Sequence, residues 1–102
     1  MAATPYERVR YLIGHSHSPH HTPATLSGGP DAIYSYRLCI AKKDGPDWLV
    51  YGERNSATTN RHIKAVYNVI KDDLPVREME PQIINGERWH YFRDLYADRS
   101  GS

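Results

Sequence analysis

Features that would assign the chain to a familiar class are scarce. It has one cysteine, Cys39, which excludes a disulfide framework and a metal site built only from thiolates, and which fits a reducing compartment. Lys and Arg number 13 against 12 for Asp and Glu, so no overall positive charge drives nonspecific binding to nucleic acid. No apolar run approaches the about 20 residues that span a bilayer, and the residues after Met1 lack the apolar core of a signal peptide. At 102 residues, we therefore expect one small soluble domain in the cytoplasm.

The first segment, residues 1–14, is predicted to contain a short helix. Thr4 and Glu7 have the spacing of a capping box, and Pro5 occupies the first helical position, where its missing N–H costs nothing. Apolar residues follow at helical intervals as far as Gly14, which can end the helix. A strand is the competing interpretation, because apolar and charged residues also alternate in this segment.

Residues 15–31 are rich in His, Ser, Pro and Gly, and their only large aliphatic residue is Leu26. So little apolar surface cannot offset the entropy lost on ordering, and we predict a disordered loop. Its clustered histidines are residue types that bind zinc, copper or nickel: His15, His17, His20 and His21. Because no Cys, Asp or Glu lies within the cluster, an incidental role is favoured over a metal site. No cofactor is predicted.

Residues 32–102 are predicted to carry the fold. Alternation from Tyr34 to Ile40 indicates a half-buried strand, and Trp48 to Glu53 is predicted to be the returning strand of a β-hairpin. The pair Asn85-Gly86 between apolar flanks predicts a second hairpin, because a type I′ turn needs positive φ at both central residues. Residues 87–97 also match a helix, and this alternative stays open.

One amphipathic helix is predicted between the hairpins, with Thr58 favoured over Ser56 as its N-cap. Pro75 ends it, and the acidic residues on either side of Pro75 are expected in a polar connector. The apolar arc of this helix comprises Ile63, Val66, Tyr67 and Ile70. The predicted architecture is a small single α+β domain with a short N-terminal helix, a β-hairpin, one amphipathic helix packed on a small antiparallel sheet, and a second β-hairpin.

Two sets of residues could bind a partner. Thr58 and Thr59 could hold a phosphate at the start of the helix, although simple helix capping is the favoured explanation. The exposed side of the same helix is basic and could meet a nucleic-acid backbone through Arg61, Lys64 and Lys71. The chain also has eight Tyr, two Trp and one Phe, more rings than so small a domain can bury. The contact residues predicted with this aromatic set are Arg37, Trp48, Trp89 and Tyr91.

A catalytic interpretation centres on His62. With His90 and nearby arginines, it could act as acid and base in a small metal-independent nuclease. No spacing is diagnostic of such a site, and Cys39 lacks a neighbour that would activate it. The sequence therefore favours binding over catalysis.

Two short motifs carry a resemblance to a known domain. They are Tyr34-Ser35-Tyr36, followed by Ile40-Ala41, and the helix start Ser56-Ala57-Thr58-Thr59-Asn60-Arg61-His62, of the form Ser-x-Thr-Thr-x-x-His. Over residues 33–67, the chain resembles a small uncharacterised domain found in phage and prophage proteins. The resemblance implies a phage-type origin and a phage-infected bacterial host, and it implies no reaction.

The leading hypothesis is a noncatalytic phage-type accessory protein. It would bind a macromolecular partner, a host or phage protein, through aromatic and Arg side chains, and act as an inhibitor or adaptor by occupying a surface. A nucleic-acid-binding module that uses the basic face of the helix is the first alternative, and the nuclease is the second. Partner identity and oligomeric state do not follow from the sequence.

Overall fold

The computed structural model describes residues 4–14 and 26–96, which form two helices and six strands. The helices are α1 (Pro5–Gly14) and α2 (Ala57–Asp73). The strands are β1 (Leu26–Gly28), β2 (Ala32–Ser35), β3 (Leu38–Asp44), β4 (Asp47–Tyr51), β5 (Val76–Ile84) and β6 (Glu87–Asp94). All pair antiparallel in one sheet of order β1-β2-β3-β4-β6-β5, and the helices pack against each other and the sheet. The predicted α+β class is confirmed.

The first turn of α1 is closed by the predicted capping box. The N–H of Glu7 donates to Thr4 Oγ1 at 3.2 Å, and the N–H of Thr4 donates to Glu7 Oε1 at 3.0 Å. These bonds hold the pKa of the Glu7 carboxyl below its usual value. Residues Pro5–Gly14 form a helix that buries its Val9 and Leu12 side chains, so the alternative interpretation of this segment as a strand is wrong.

The segment predicted as a disordered His-rich loop, residues 15–31, includes a strand near its end. Residues 15–25, with the four clustered histidines, lie outside the described residues. Beyond them, Leu26–Gly28 forms β1 on the edge of the sheet, which corrects the prediction of disorder for these residues. The physical reason is that Leu26 is completely packed in the core and anchors the strand.

The strand predicted from Tyr34 to Ile40 is two strands joined by a tight turn. β2 ends at Ser35, and the chain reverses through Tyr36, whose φ is +57°. Because Tyr36 is not glycine, nothing in the local sequence marks this left-handed position. The predicted returning strand is β4, which pairs with β3, and β3 extends beyond the predicted strand through Lys42 and Lys43 to Asp44.

Helix α2 begins earlier than predicted, because Ser56 is its N-cap and accepts from the N–H of Thr59 at 3.2 Å. The apolar arc faces the sheet, with Val66 and Ile70 fully buried and Ile63 and Tyr67 partly buried. Packing of α1 along one side of α2 widens the buried arc. The additional buried residues are Thr59, His62, Ala65 and Val69.

The second hairpin is present at the predicted turn, with φ of +53° at Asn85 and +80° at Gly86. Its strands are β5 and β6, so the helical alternative for residues 87–97 is wrong where the structure describes them. The predicted polar connector before it is also corrected, because Glu78 and Glu80 lie within β5. β5 is an edge strand, and its pairing is interrupted by a bulge between Met79 and Gln82.

The turn at Gly86 gives a test of the hairpin. A Cβ added at Gly86 would meet nothing within 4 Å, so Gly86→Ala adds only the strain of a positive φ. We expect it to lower the free energy of unfolding by about 1 kcal/mol, measured by chemical denaturation. Gly14→Ala is the matched control, because its Cβ also meets nothing but its φ is not positive. Equal effects of the two substitutions would contradict the turn.

Candidate functional site

Three buried polar side chains meet where β2 contacts α2. Ser35 points toward the helix because it alternates with the outward-facing Tyr34 in β2. Thr59 and His62 are three residues apart on α2 and therefore share one side of it. The Ser35 hydroxyl oxygen lies 3.0 Å from Thr59 Oγ1 and 2.8 Å from His62 Nδ1. We call these three residues the Ser35 network.

The Ser35 network pairs a hydroxyl with an imidazole, as a nucleophile and base would be paired, but it is closed to a substrate. Ser35 is 0% exposed and His62 is 7% exposed. Burial, together with the positive charges of Arg61 and Arg8, lowers the pKa of His62, which favours the neutral ring. The placement of His62 supports a structural role, and the nuclease interpretation gains no support from it.

Both motifs of the phage-domain resemblance contribute to this network. Tyr34-Ser35-Tyr36 supplies the bridging hydroxyl, and the segment from Ser56 to His62 supplies the helix cap and both partners of Ser35. The sequence shows two separate motifs, and the tertiary structure joins them into one contact. Ser35 is the functional-site residue that sequence reasoning missed, and the signal available for it was its position between two tyrosines.

Within residues 4–14 and 26–96, no helix packs on the opposite face of the sheet. His90 and Phe92 of β6 contact Tyr67 of α2, so the alternating Trp89 and Tyr91 point to the other side. Cross-strand pairing places further residues on that side: Lys42, Leu49, Tyr51, Met79 and Gln82. Tyr34 of β2, opposite in direction to Ser35, also faces this side and is 39% exposed. We call this surface the helix-free face.

Aromatic rings and charged groups on the helix-free face contact one another in pairs. Lys42 Nζ lies 4.7 Å above the centre of the Trp89 ring, and the Tyr51 ring meets Trp89 edge-on at 5.2 Å. The hydroxyl of Tyr51 donates to Glu87 at 2.7 Å, which raises the pKa of Tyr51 to about 12. The indole N–H of Trp89 is buried and has no acceptor among the described residues.

The acidic and basic side chains of this face differ in whether they have hydrogen-bond or ion-pair partners. Asp47 accepts from the Tyr91 hydroxyl at 2.6 Å and from the N–H of Asp94 at 2.9 Å. Arg77 lies directly across from Arg93, a pairing of like charges that is unfavourable unless an anion lies nearby. Within residues 4–14 and 26–96, neither Lys42 nor Arg77 has a carboxylate partner. The face therefore presents Lys42 and Arg77 beside the carboxylates of Asp47 and Glu87, which keep their negative charge when they accept hydrogen bonds from tyrosines.

The contact residues predicted from the sequence fall in different places. Trp48 is 2% exposed on the helix-bearing side and belongs to the core, which corrects its assignment as a contact residue. Trp89 and Tyr91 lie on the helix-free face, with Trp89 almost buried and Tyr91 partly exposed. Arg37 is exposed in the turn between β2 and β3.

The predicted basic stripe is on the exposed side of α2. Arg61, Lys64 and Lys71 are exposed, and none forms an ion pair with a carboxylate of the described chain. The Lys71 ammonium lies 5.9 Å from the centre of the Tyr67 ring. The start of the same helix does not present both predicted phosphate-binding threonines, because Thr59 is buried in the Ser35 network and only Thr58 is partly exposed.

Neither a metal cluster nor a membrane-spanning helix is found in the part of the chain that the structure describes. No three His, Cys, Asp or Glu side chains gather there as metal ligands would, and neither α1 nor α2 is long and apolar enough to cross a bilayer. The clustered histidines at residues 15–21, for which an incidental role is favoured over a metal site, lie outside the described residues.

Residues 12–80 match DUF8033, a family of unknown function, and this match covers more than half of the chain. The chain belongs to the DUF8033 family. No curated protein and no solved structure matches it. The matched range includes the whole Ser35 network and α2, whereas β6, with Trp89 and His90, follows it.

Removing the bridging hydroxyl tests the structural role of the network. Ser35→Ala leaves Thr59 Oγ1 and His62 Nδ1 buried without their shared partner, and we expect the free energy of unfolding to fall by about 1–3 kcal/mol. Two adjacent threonines supply a matched control for denaturation measurements. Thr59→Val removes a bonded hydroxyl and should cost about 1 kcal/mol, whereas Thr58→Val should change little. A similar loss in both valine variants would contradict the network.

The lowered pKa of His62 predicts how stability depends on pH. The unfolded chain titrates near the ordinary value of 6.5, and the folded chain titrates lower. Below about pH 6.5 the unfolded state therefore binds more protons, so the free energy of unfolding falls as the pH falls through this window. Urea denaturation at about pH 5.5 and 7.5 should show greater stability at the higher pH. His62→Gln should flatten this difference, and an unchanged pH slope would contradict the assignment.

Proposed function

We propose that this chain is a noncatalytic accessory protein of phage type that binds a protein partner through the helix-free face. The observation that supports the proposal most is that two cations on that face, Lys42 and Arg77, form no ion pair within the described residues. Its acids Asp47 and Glu87 already accept hydrogen bonds from tyrosines, whereas Lys42 and Arg77 lack carboxylate partners in the described residues. The partner that fits is a protein surface bearing carboxylates beside apolar side chains.

The composition of the face favours protein over nucleic acid as the occupant. Tyrosine, tryptophan and arginine are the residue types enriched at protein-binding hot spots. The Trp89 and Tyr51 rings are packed against each other, and thus are not free as platforms for stacking bases. Tyr34 and the half-buried Tyr91 and Met79 remain as apolar contact area. Binding would act by occupying the partner's surface, in the reducing compartment that the single Cys39 fits.

Charge reversal on the two sides of the domain tests this proposal. A partner captured from nuclease-treated host lysate would be identified, and its affinity would be measured for Arg77→Glu and for Lys64→Glu. Arg77→Glu, on the helix-free face, should weaken binding by about tenfold or more, because the reversed charge repels the partner's carboxylates. Lys64→Glu, the matched control on the exposed side of α2, should leave the affinity unchanged. Equal loss in both variants, or no loss in Arg77→Glu, would contradict the proposal.

Nucleic-acid binding is the second candidate, supported by the unpaired stripe of Arg61, Lys64 and Lys71 on α2. Three phosphate contacts predict that affinity falls about 40-fold between about 50 and 200 mM salt. Retention on a DNA or RNA column should then be lost in the Arg61→Ala, Lys64→Ala double variant. If retention on the column does not change with salt concentration or with these substitutions, nucleic-acid binding through this stripe is excluded.

A further inference from the structure

A two-residue turn joins β2 to β3 and holds Tyr36 in a strained conformation. Ser35 pairs with Leu38, so only Tyr36 and Arg37 lie between the strands. The φ angle is +57° at Tyr36 and is not positive at Arg37. Glycine is favoured where the first central residue of such a turn has positive φ, because a Cβ is unfavourable in the left-handed region. Tyr36 therefore occupies a position that suits glycine.

Two other hairpin turns of the sheet carry residues that suit their backbone. The turn between β3 and β4 has Gly45 at its first position, with φ of +63°, followed by Pro46. The turn between β5 and β6 consists of Asn85 and Gly86, both with positive φ. Glycine and asparagine adopt these angles at the least cost. Tyr36 is the exception among these three turns, so its strain needs a compensating interaction.

Packing within the domain does not supply that interaction. The Tyr36 side chain is 51% exposed. The hydroxyls of Tyr51, Tyr67 and Tyr91 each donate to a carboxylate, whereas the Tyr36 hydroxyl has no hydrogen-bond partner within residues 4–14 and 26–96. Strained backbone positions cluster at functional sites, where the strain has a role. The exposed ring of Tyr36 is therefore a candidate contact with another molecule.

Neighbouring residues extend this contact surface. Arg37 is exposed and forms no ion pair with a carboxylate of the described chain. Just before the turn, the pairing of β2 with β3 shifts by one residue between Ile33 and Tyr34, and such bulges redirect nearby side chains. Tyr34 is also exposed and connects the turn to the helix-free face. Tyrosine and arginine are the residue types that dominate the binding energy of many protein interfaces.

We propose that the Tyr36-Arg37 turn is the main contact of the protein interaction proposed above, and this inference rests on that function. The Tyr36 ring enters an apolar pocket of the partner, and the Arg37 guanidinium pairs with a carboxylate beside the pocket. Because the turn has only two residues and is paired on both sides, its ring loses little conformational freedom on binding. A protein is favoured over nucleic acid, because one arginine supplies only one phosphate contact.

Substitution of Tyr36 separates a binding role from a structural one. The probe is the partner that the full chain captures from nuclease-treated host lysate, and stability is measured by urea denaturation. Tyr36→Gly should raise the folding equilibrium constant about fivefold, because the strain is lost. The same variant should bind the partner at least about tenfold more weakly, because the ring is lost. Effects of opposite direction on stability and affinity identify a binding residue.

Three further variants report on the chemistry of the contact. Tyr36→Phe keeps the ring and should bind within about threefold of the wild type. Arg37→Gln removes the guanidinium and should weaken binding about fivefold or more. Lys43→Gln is the matched control and should leave the affinity unchanged, because Lys43 is an exposed cation near the other end of β3, on the helix-bearing side.

The proposal is overturned by wild-type affinity in Tyr36→Gly, by an equal loss in Tyr36→Phe, or by equal losses in Arg37→Gln and Lys43→Gln. Lower stability of Tyr36→Gly also overturns it, since packing of the ring would then already offset the strain. If Arg77→Glu weakens binding while Tyr36→Gly does not, the turn is excluded and the helix-free face remains the binding surface. If the wild type captures no protein, or captures only nucleic acid from untreated lysate, this inference and the proposed function both fail.

Discussion

The Ser35 hydroxyl joins the sheet to its main helix through two buried hydrogen bonds, which add directional constraint to the apolar packing between them. One hydroxyl offers one proton and two lone pairs, so it can bond Thr59 and His62 together only if β2 and α2 approach at a single register. In a buried site, a missed bond is costly, and this cost excludes alternative placements that would bury the same apolar area. The turn at Tyr36 and the cap at Ser56 bring the participating residues to this point.

Packing of both helices on one side of the sheet has a direct consequence for function. That side is closed by Val66, Ile70, Trp48 and Phe92, and it holds the one buried imidazole that could have suggested catalysis. The other side is stabilised within itself by tyrosine–carboxylate bonds and by Lys42 over Trp89. These contacts bury the Trp89 and Tyr51 rings, and the face still offers Lys42, Arg77 and the exposed Tyr34 to a partner.

Two histidines with lowered pKa values, His62 and His90, lie in different surroundings. His62 is enclosed between a strand and two helices, and it contributes to stability. His90 is partly buried beside Gly52, and its Nδ1 lies 3.7 Å from Glu78 Oε2. Burial lowers the pKa of both rings, so the direction of the pKa shift alone does not separate a structural histidine from a functional one.

Features whose causes lie within a few residues could be predicted from the amino-acid sequence alone. The Thr4/Glu7 box, the Asn85-Gly86 turn and the sheet-facing arc of α2 are local, since each depends on hydrogen bonds or periodicity inside one element. Other features, such as the N-cap of α2 and the burial of individual aromatic rings, depend on tertiary structure. Ser56 rather than Thr58 caps α2 because Thr59 is drawn into the contact with Ser35, and Trp48 is buried while Tyr34 is exposed because the helices cover only one side of the sheet. Those outcomes depend on partners distant in the chain, which no local pattern encodes.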